Sequence, residues 1–401
     1  MTKDRLIINF MDKKKVFILV ILLLLIYSSE GRAQVLSLQS SDSLNNKPTF
    51  SVKIGGRIKL LAVYDFKGLQ NYEAFDIFRI PVGDSNKADG RFFMGAEQSR
   101  IKIDGRLQTN SLGEVKAYFE GDFAGGSSNN VFRIRHAYVK FGKFLFGQTW
   151  SVFADENVFP VIVDNDGPVT SIFERNPQAR FFTNLSKSTE LNVSLEYAPQ
   201  LIQKSTDLDS LVAPTYVSAP DLAMNIINKG DWGHIQLALL GRMLSYKSSG
   251  ETKHTPGWGA ILSSQLFTGK FSNFLIQAVY GQGIEKYING LNFANIDAAP
   301  DGKGNLIALP VYGGFIAYQF PYDSKNFLSS TLVYGYTGIH NNINSIYRST
   351  LGEGNYCSVN INCKPISSLQ LMLEGLYGNR TNYQGLRGDA WRVQFMTQYD
   401  F

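Results

Sequence analysis

Residues 99–107 read SRIKIDGRL, and residues 115–122 read VKAYFEGD. In both runs polar or charged residues alternate with small or apolar ones, which is the period of a β-strand with two different faces. One face of the first run carries its basic residues, Arg100, Lys102 and Arg106. A strand with a basic face and an apolar face predicts a sheet that has water on one side and an apolar environment on the other.

The composition favours many strands over helices. Of 401 residues, 20 are Tyr, 28 are Phe and 37 are Gly, while only 18% are charged. Windows rich in Ala, Leu, Glu and Lys are almost absent, and the mean hydropathy is near neutral. Strands with one apolar and one polar face explain both features, so the composition is typical of a transmembrane β-barrel.

The N-terminal segment has the three parts of a secretory signal peptide. Lys13–Lys15 are basic, residues 16–27 are apolar without a break, and residues 31–33 (GRA) place small residues at the two positions that a signal peptidase recognises. Twelve apolar residues are too few for a membrane helix, which needs about 20. We therefore expect residues 1–33 to be removed, with Met11 as an alternative start.

Neither net charge nor cysteine content indicates another class. The first 33 positions hold six of the 39 basic and three of the 34 acidic residues, so the mature chain keeps 33 against 31. This near balance gives no reason to expect a nucleic-acid partner. Cys357 and Cys363 are six residues apart in one run, about 20 Å along a strand, which is too far for a disulfide. No metal-ligand spacing occurs, and we expect no cofactor.

After a flexible, polar lead-in at residues 34–48, runs with strand periodicity fill a single domain at residues 49–401. There are sixteen, at about 50–64, 98–109, 114–122, 131–141, 144–152, 178–184, 190–198, 221–228, 233–246, 257–268, 271–283, 309–320, 327–340, 355–363, 367–378 and 389–401. Seven short turns alternate with eight long polar connections. The predicted long connections are 65–97, 124–130, 154–177, 199–220, 247–256, 284–308, 341–354 and 379–388. An even strand number with tight periplasmic turns and long extracellular loops predicts an outer-membrane antiparallel β-barrel.

The final strand supports a membrane location. From Trp391 to Phe401 aromatic or apolar residues alternate with polar ones, and the chain ends on Phe401. Together with a signal peptide, such a strand indicates recognition by the outer-membrane assembly machinery. The outward aromatic residues Tyr64, Tyr334 and Tyr377, near strand ends, suit the lipid interface.

A sixteen-stranded barrel is wide enough for an aqueous pore, and the early strands predict its basic wall. The residues expected on that wall are Arg57, Lys59, Arg100, Arg106, Arg133, Arg135 and Arg180. The third long loop, 154–177, carries five acids, Asp155, Glu156, Asp164, Asp166 and Glu174. If this loop folds into the barrel, its acids face the arginines and form a constriction that collects carboxylates or phosphates. The alternatives are that the wall charges pair with one another and that the loop lies on the surface.

Other classes remain open at this stage. A secreted soluble all-β protein would show the same strand alternation. An outer-membrane enzyme would need a Ser/His/acid set, but none of the histidines, at 136, 234, 254 and 340, lies in a recognisable nucleophile motif. An adhesin would use its long loops, above all 65–97 and 284–308.

Several segments in order carry a resemblance to a known family. They read KIGGRIK at 53–59, YFEGDF at 118–123, FRIRHAY at 132–138 and GQTWSVF at 147–153, with Asp164, Gly167-Pro168 and Arg175 after them. With these segments the chain resembles the DcaP-like porins, over roughly residues 53–180. The resemblance implies a homotrimer of sixteen-stranded barrels in the outer-membrane lipid, and passive uptake of small anionic solutes such as dicarboxylates.

Overall fold

In the computed structural model one antiparallel sheet closes on itself as a barrel. The structure describes residues 36–41, 48–69, 74–83, 89–125, 131–202, 212–213, 217–248, 251–291, 296–301, 305–340 and 351–401. The signal peptide predicted at 1–33 lies outside these residues. Each barrel strand pairs with the next along the chain, and the last strand pairs with the first from Arg57–Asp400 to Lys67–Trp391.

The described part of the chain contains sixteen barrel strands, as the sequence predicts. They are β1 (Pro48–Lys67), β2 (Arg100–Thr109), β3 (Gly113–Gly125), β4 (Val131–Phe141), β5 (Phe144–Trp150), β6 (Arg175–Asn184), β7 (Thr189–Glu196), β8 (Asp221–Gly230), β9 (Gly233–Ser248), β10 (Glu251–Phe267), β11 (Asn273–Gln282), β12 (Pro310–Pro321), β13 (Leu328–Ile339), β14 (Leu351–Ile366), β15 (Leu369–Asn382) and β16 (Arg387–Asp400). Five further short strands are present in the described residues. Leu36–Ser41 and Asp89–Gly95 pair with β1, and Val212–Ala213 pairs with β9. Ala298–Pro300 and Leu306–Ala308 pair with each other in a separate sheet. Three 3-10 helices complete the described structure, Ile77–Arg79, Glu156–Val158 and Glu285–Tyr287. None of the described helices is long and apolar enough to cross a membrane.

Two of the predicted long connections are wrong. The connection predicted at 247–256 shrinks because β9 and β10 stay paired up to Ser248–Glu251. The connection predicted at 379–388 shrinks in the same way, since β15 and β16 pair up to Thr381–Arg387. The polar residues in these segments belong to hairpins that extend beyond the apolar band, where a strand needs no apolar face.

The two faces of the strands differ as the alternation predicts. On β9 the side chains of Leu237 and Leu239 are exposed on the outer face, whereas Gln236 and Arg242 are buried inside. Exposed apolar side chains in contact with water would be costly over so large an area, so this outer band faces lipid. Cys357, also on an outer face, is a free thiol, as is Cys363.

The lead-in predicted at 34–48 as flexible contains a strand instead. Leu36–Ser41 pairs antiparallel with Pro48–Ile54 of β1. β16 ends at Asp400 opposite Arg57, so the first residues of β1 have a free edge that this strand covers.

The C-terminus closes the barrel tightly. The backbone N–H of Gly56 donates to the carbonyl of Phe401 at 2.9 Å, and the N–H of Phe401 donates to the carbonyl of Gly56 at 3.0 Å. A Cβ on Gly56 would lie 2.8 Å from the Phe401 ring. Only glycine therefore lets the terminal aromatic ring pack at this position.

Three loops fold into the lumen and share one apolar core. They include residues 74–83, which follow β1, residues 151–174 between β5 and β6, and, between β11 and β12, residues 283–291, 296–301 and 305–309. Their buried apolar side chains, among them Phe75, Phe153, Ile172 and Tyr287, belong to a single cluster. The inward fold of the third loop confirms the sequence prediction, whereas the inward fold of the other two was not predicted.

Candidate constriction site

The third loop, residues 151–174, lines much of the inner wall before it returns to β6. It is bound early by β8 and β9, where Asn225 Nδ2 donates to the carbonyl of Val152 at 2.8 Å and Gln236 Nε2 to that of Ala154 at 3.1 Å. Later Gln277 Nε2 of β11 donates to the carbonyl of Thr170 at 2.6 Å. Side-chain amides thus satisfy the loop carbonyls, so a non-regular backbone can be buried inside the barrel.

The middle of this loop is held by one carboxylate. Glu374 on β15 accepts from the backbone N–H of Val163 at 3.1 Å and of Asp164 at 3.0 Å. It also accepts from Asn360 Nδ2 at 3.1 Å and Gln394 Nε2 at 2.8 Å. Four donors on two oxygens fix both the carboxylate and the loop.

Lys59 holds the other side of the same segment. Its Nζ donates to Gln98 Oε1 at 2.6 Å and to the carbonyl of Val163 at 3.4 Å. No carboxylate lies within ion-pair distance of Lys59 among the described residues, although its side chain is buried. Lys59 therefore has no direct ion-pair partner in this part of the structure, although Glu374 and Asp164 lie near enough to act on its charge.

Three of the five predicted loop acids do not face the arginines. Asp155 accepts from Ser263 Oγ at 2.6 Å and lies 2.7 Å from His234 Nε2, and Glu174 pairs with Lys286 at 2.7 Å. Asp164 accepts from the N–H of Phe75 and from Tyr356 Oη, both at 3.1 Å. These three carboxylates anchor the loop to the wall and to the other two infolded loops.

The protonation of the loop acids follows from their surroundings. Burial alone would raise the pKa of Asp155, but the bonds from His234 and Ser263 outweigh it and lower that pKa. Burial raises the pKa of Glu156, which lies in the field of Arg180. Burial, with the negative charges of Asp164 and Asp76 nearby, raises the pKa of Asp166 to about 8. Asp166 is therefore largely neutral at pH 7 and does not form an acidic wall.

Most of the predicted basic wall is paired. Arg133 Nη2 lies 2.8 Å from Asp122 Oδ2, and Arg135 contacts both Glu120, at 2.9 Å, and Asp122, at 3.1 Å. The remaining wall pairs are Arg57–Asp400 at 3.0 Å, Arg100–Glu120 at 3.4 Å and Arg106–Asp104 at 2.9 Å. The alternative that wall charges pair with one another therefore holds for these arginines.

Two arginines differ from this pattern. Arg180 donates to Gln178 Oε1 at 2.9 Å and to the carbonyl of Trp150, and Arg175 stacks over the Trp150 ring at 4.4 Å. Neither has a carboxylate within ion-pair distance among the described residues. Arg175 was not among the predicted wall residues, although it is part of the family resemblance. The sequence feature that could have identified Arg175 is its position, because it is the first residue of the strand that follows the third loop.

A cavity of about 310 Å³ lies between the loop and the early strands. Its wall includes Arg57, Lys59 and Arg100, and its loop side includes Ser171 and Phe173. The acidic residue Asp164 also lines this cavity. Four buried polar atoms lack a partner in the described structure: Arg100 Nε and Ser171 Oγ, which belong to lining residues, and Gln98 Nε2 and Arg175 Nη1, which belong to residues in contact with Lys59 and Phe173 of the lining. All four can donate hydrogen bonds, which is the arrangement that an anion requires.

The histidines do not form a hydrolytic site. Ser263 Oγ donates to Asp155 rather than to His234, so Asp155 separates the hydroxyl from the imidazole. His136 Nδ1 is hydrogen-bonded to Thr149 Oγ1 at 3.0 Å. His254 Nδ1 contacts Ser245 Oγ at 2.8 Å, and no acid completes this pair in the described residues.

Several solved structures share this barrel fold. The outer membrane channel DcaP of Acinetobacter baumannii superposes with a TM-score of 0.78 at 22% identity, over 90% of this chain and 99% of that one. The anion-selective porin from Comamonas acidovorans gives 0.59 at 11% identity, over 88% and 100%. The trimer form of OmpT from Vibrio cholerae gives 0.52 at 10% identity, over 88% and 100%. No curated protein sequence matches.

The closed sixteen-stranded barrel, with its apolar outer band and infolded third loop, defines an outer-membrane protein of the porin class. The family model described as DcaP outer membrane protein matches residues 29–215. That match confirms the DcaP resemblance of the sequence and extends it beyond residue 180.

Proposed function

We propose that this porin is a passive channel that favours small anions, and that Lys59, Arg175 and Arg180 supply the selective charge. The observation that carries the proposal is the group of four buried hydrogen-bond donors without partners, two on residues that line the constriction cavity and two on residues that contact its lining. An incoming carboxylate or phosphate supplies the acceptors that these donors lack. The anion selectivity of the Comamonas porin, which shares the fold, is consistent with this proposal.

The charge balance of the constriction supports the same direction. Arg57–Asp400 and Arg106–Asp104 are pairs of opposite charges whose fields largely cancel at a distance. Arg100, Arg133 and Arg135 share the two acids Glu120 and Asp122, so this group keeps one positive charge. Lys59, Arg175 and Arg180 have no such partner. Of the loop acids, Asp155, Asp164 and Glu174 are bonded elsewhere and Asp166 is largely neutral. Glu156 lies near Arg180 and offsets part of its charge, which leaves Lys59 and Arg175. The net field in the gap is therefore positive and attracts anions.

The reversal potential of single channels in a potassium chloride gradient tests the proposal. The wild type is expected to prefer chloride, and Lys59→Gln and Arg175→Gln to lower that preference at low salt. Neither change leaves an acid without its ion pair. Lys59→Gln also removes the contact of Lys59 Nζ with the carbonyl of Val163, so Arg175→Gln is the more direct measure of one lost positive charge. Lys187→Gln, in an exposed short turn, is the matched control and should leave the reversal potential unchanged. Cation preference in the wild type would refute the proposal.

We also propose a homotrimer that is inserted by the outer-membrane assembly machinery through Phe401, with residues 1–33 removed on export. A trimer form of the OmpT barrel shares this architecture. N-terminal sequencing of protein isolated from outer membranes tests the cleavage, which should leave Gln34 as the first residue. Cross-linking in native membranes tests the trimer, since a monomer band alone would contradict it.

The positions of the loops support an adhesin less well than a porin. Residues 74–83 and the described residues of 283–309 fall within the two long connections that an adhesin would expose, yet most of their apolar side chains are buried in the barrel. Liposome swelling separates the two functions, because a porin admits small solutes and an adhesin with a sealed lumen does not.

A further inference from the structure

A row of basic residues crosses the inner wall near the short turns, away from the constriction cavity. Arg106 on β2 is registered directly opposite Lys116 on β3, and Lys116 is directly opposite Lys140 on β4. The row continues through Leu145 on β5 to Arg180 on β6. Like charges directly opposite each other destabilise a sheet. A row that lowers the stability of the barrel in this way suggests a role in binding or transport.

Local acids compensate only part of this charge. Asp104 pairs with Arg106 at 2.9 Å and with Lys116 at 3.3 Å, and Glu114 lies 3.7 Å from Arg106. Lys140 has no carboxylate within ion-pair distance among the described residues. Its Nζ lies 4.2 Å from the centre of the Phe182 ring, which holds the ammonium group by a cation–π contact. The positive charge of Lys140 is thus exposed to the lumen and fixed in place.

The same residues line a cavity. Its volume is about 540 Å³, and its wall includes Arg106, Lys116 and Lys140 together with the rings of Tyr138 and Phe182. Lys116 lies 5.8 Å from the centre of the Tyr138 ring, so both lysines rest on aromatic surfaces. The cavity is lined by three cations against one carboxylate, that of Glu114, so its lining has a positive excess that can hold a small anion outside the constriction.

We propose that this cavity is a second anion-binding site, at the short-turn mouth of the channel, which takes carboxylate or phosphate groups. This second site rests on the proposed function in one respect, which is that anions pass through the lumen. Lysine offers a hydrated point charge rather than the planar fork of arginine, so the site attracts an anion without holding it in one geometry. Conduction needs several weak sites in series, and the registered row leads from this mouth to Arg180 at the constriction.

Block of single-channel chloride current tests the site. Inorganic phosphate and citrate, added separately to the short-turn side of oriented channels, should each block the wild type. Lys140→Gln should weaken this block about three- to fivefold, and block from the opposite side should change less. Both probes should be affected alike, because a lysine site does not distinguish phosphate from carboxylate.

Lys143→Gln is the matched control. Lys143 lies in the turn beside β4, donates to Thr183 Oγ1 at 3.1 Å, and does not line the cavity. Equal effects of Lys140→Gln and Lys143→Gln, or no block of the wild type, would overturn the proposal. Lys116→Gln removes a like charge opposite Arg106 and Lys140 but also the ion pair with Asp104, which keeps Arg106. Its heat resistance should therefore stay close to that of the wild type while block weakens. A variant that loses both stability and block would assign Lys116 a structural role instead.

The two proposals fail in different ways. If the wild type prefers cations, the anion channel is refuted whatever the Lys140 variant does. If the wild type prefers anions but phosphate and citrate block Lys140→Gln as strongly as the wild type, only the second site is refuted.

Discussion

Replacing Glu374 should release the third loop from the wall of the barrel. In Glu374→Gln one carboxylate oxygen becomes an amide that cannot accept, so two of the four hydrogen bonds to Val163, Asp164, Asn360 and Gln394 are lost. Hydrogen bonds to a charged group contribute about 1.5–3 kcal/mol each, so loop docking weakens by about 3 kcal/mol or more. A change of that size raises the undocked population by roughly 100-fold.

The assay is single-channel recording together with limited proteolysis of the loop. The variant should show added current noise and brief steps to higher conductance, and faster cleavage within residues 154–177. Glu353→Gln is the control, because it is the same substitution on the outer face of the barrel, away from the loop. There the Glu353 carboxylate accepts a hydrogen bond from Tyr336 Oη at 3.1 Å. A folded Glu374→Gln channel with wild-type conductance, noise and cleavage rate would refute the role of Glu374 as the loop anchor.

Two further predictions concern the third loop and the contact between the first and last strands, where the barrel closes. The folded pKa of Asp166 is raised from 3.8 to about 8, so the docked loop retains a proton that the undocked loop loses. Docking should therefore weaken as the pH rises from about 4 towards 8, and Asp166→Asn should remove this part of the pH dependence of proteolysis; an unchanged pH profile would contradict it. Gly56→Ala should destabilise the folded barrel by about 1–3 kcal/mol, because the added Cβ overlaps the backbone carbonyl of Arg100 and the Phe401 ring. The loss is measured as a lower temperature of unfolding in gel electrophoresis. Gly375→Ala, whose added Cβ meets nothing within 4 Å, should leave that temperature unchanged.

The strands could be predicted from sequence because their signal is local. The alternation in β2 and β16 reflects the two faces of each strand, and neither needs knowledge of its neighbours. Strand number and order follow, since hairpin connections place consecutive strands side by side. The hairpin ends at Ser248 and Thr381 could not be placed, because strands above the membrane lose the apolar alternation that identifies them.

The site was less predictable because its contacts join distant residues. Arg57 pairs with Asp400, 343 positions away, and Lys59 reaches the carbonyl of Val163, 104 positions away. Such partners depend on barrel closure and register, which one sequence does not specify. The infolding of the first loop did leave a signal, since Phe75, Ile77 and Phe78 are apolar residues within a long connection. Apolar side chains in a loop indicate that the loop is buried.

The distinction between paired and unpaired cations yields a decisive comparison. Arg133 and Asp122 form a bidentate pair at 2.9 and 2.8 Å. Arg133→Gln with Asp122→Asn removes both charges, so the net charge of the lumen is unchanged and Arg135 retains Glu120. The double variant should keep the reversal potential of the wild type, whereas Lys59→Gln should shift it towards zero at low salt.

Salt concentration further separates selectivity that arises from unpaired cations from selectivity that arises from paired arginines. An unpaired charge acts over a Debye length, which is about 10 Å at 0.1 M salt and about 3 Å at 1 M. The effect of Lys59→Gln should therefore shrink as salt rises, while the neutral double variant should resemble the wild type at every concentration. If the double variant lost as much anion preference as Lys59→Gln, the paired arginines would contribute directly to selectivity. The assignment of selectivity to the unpaired cations would then be wrong.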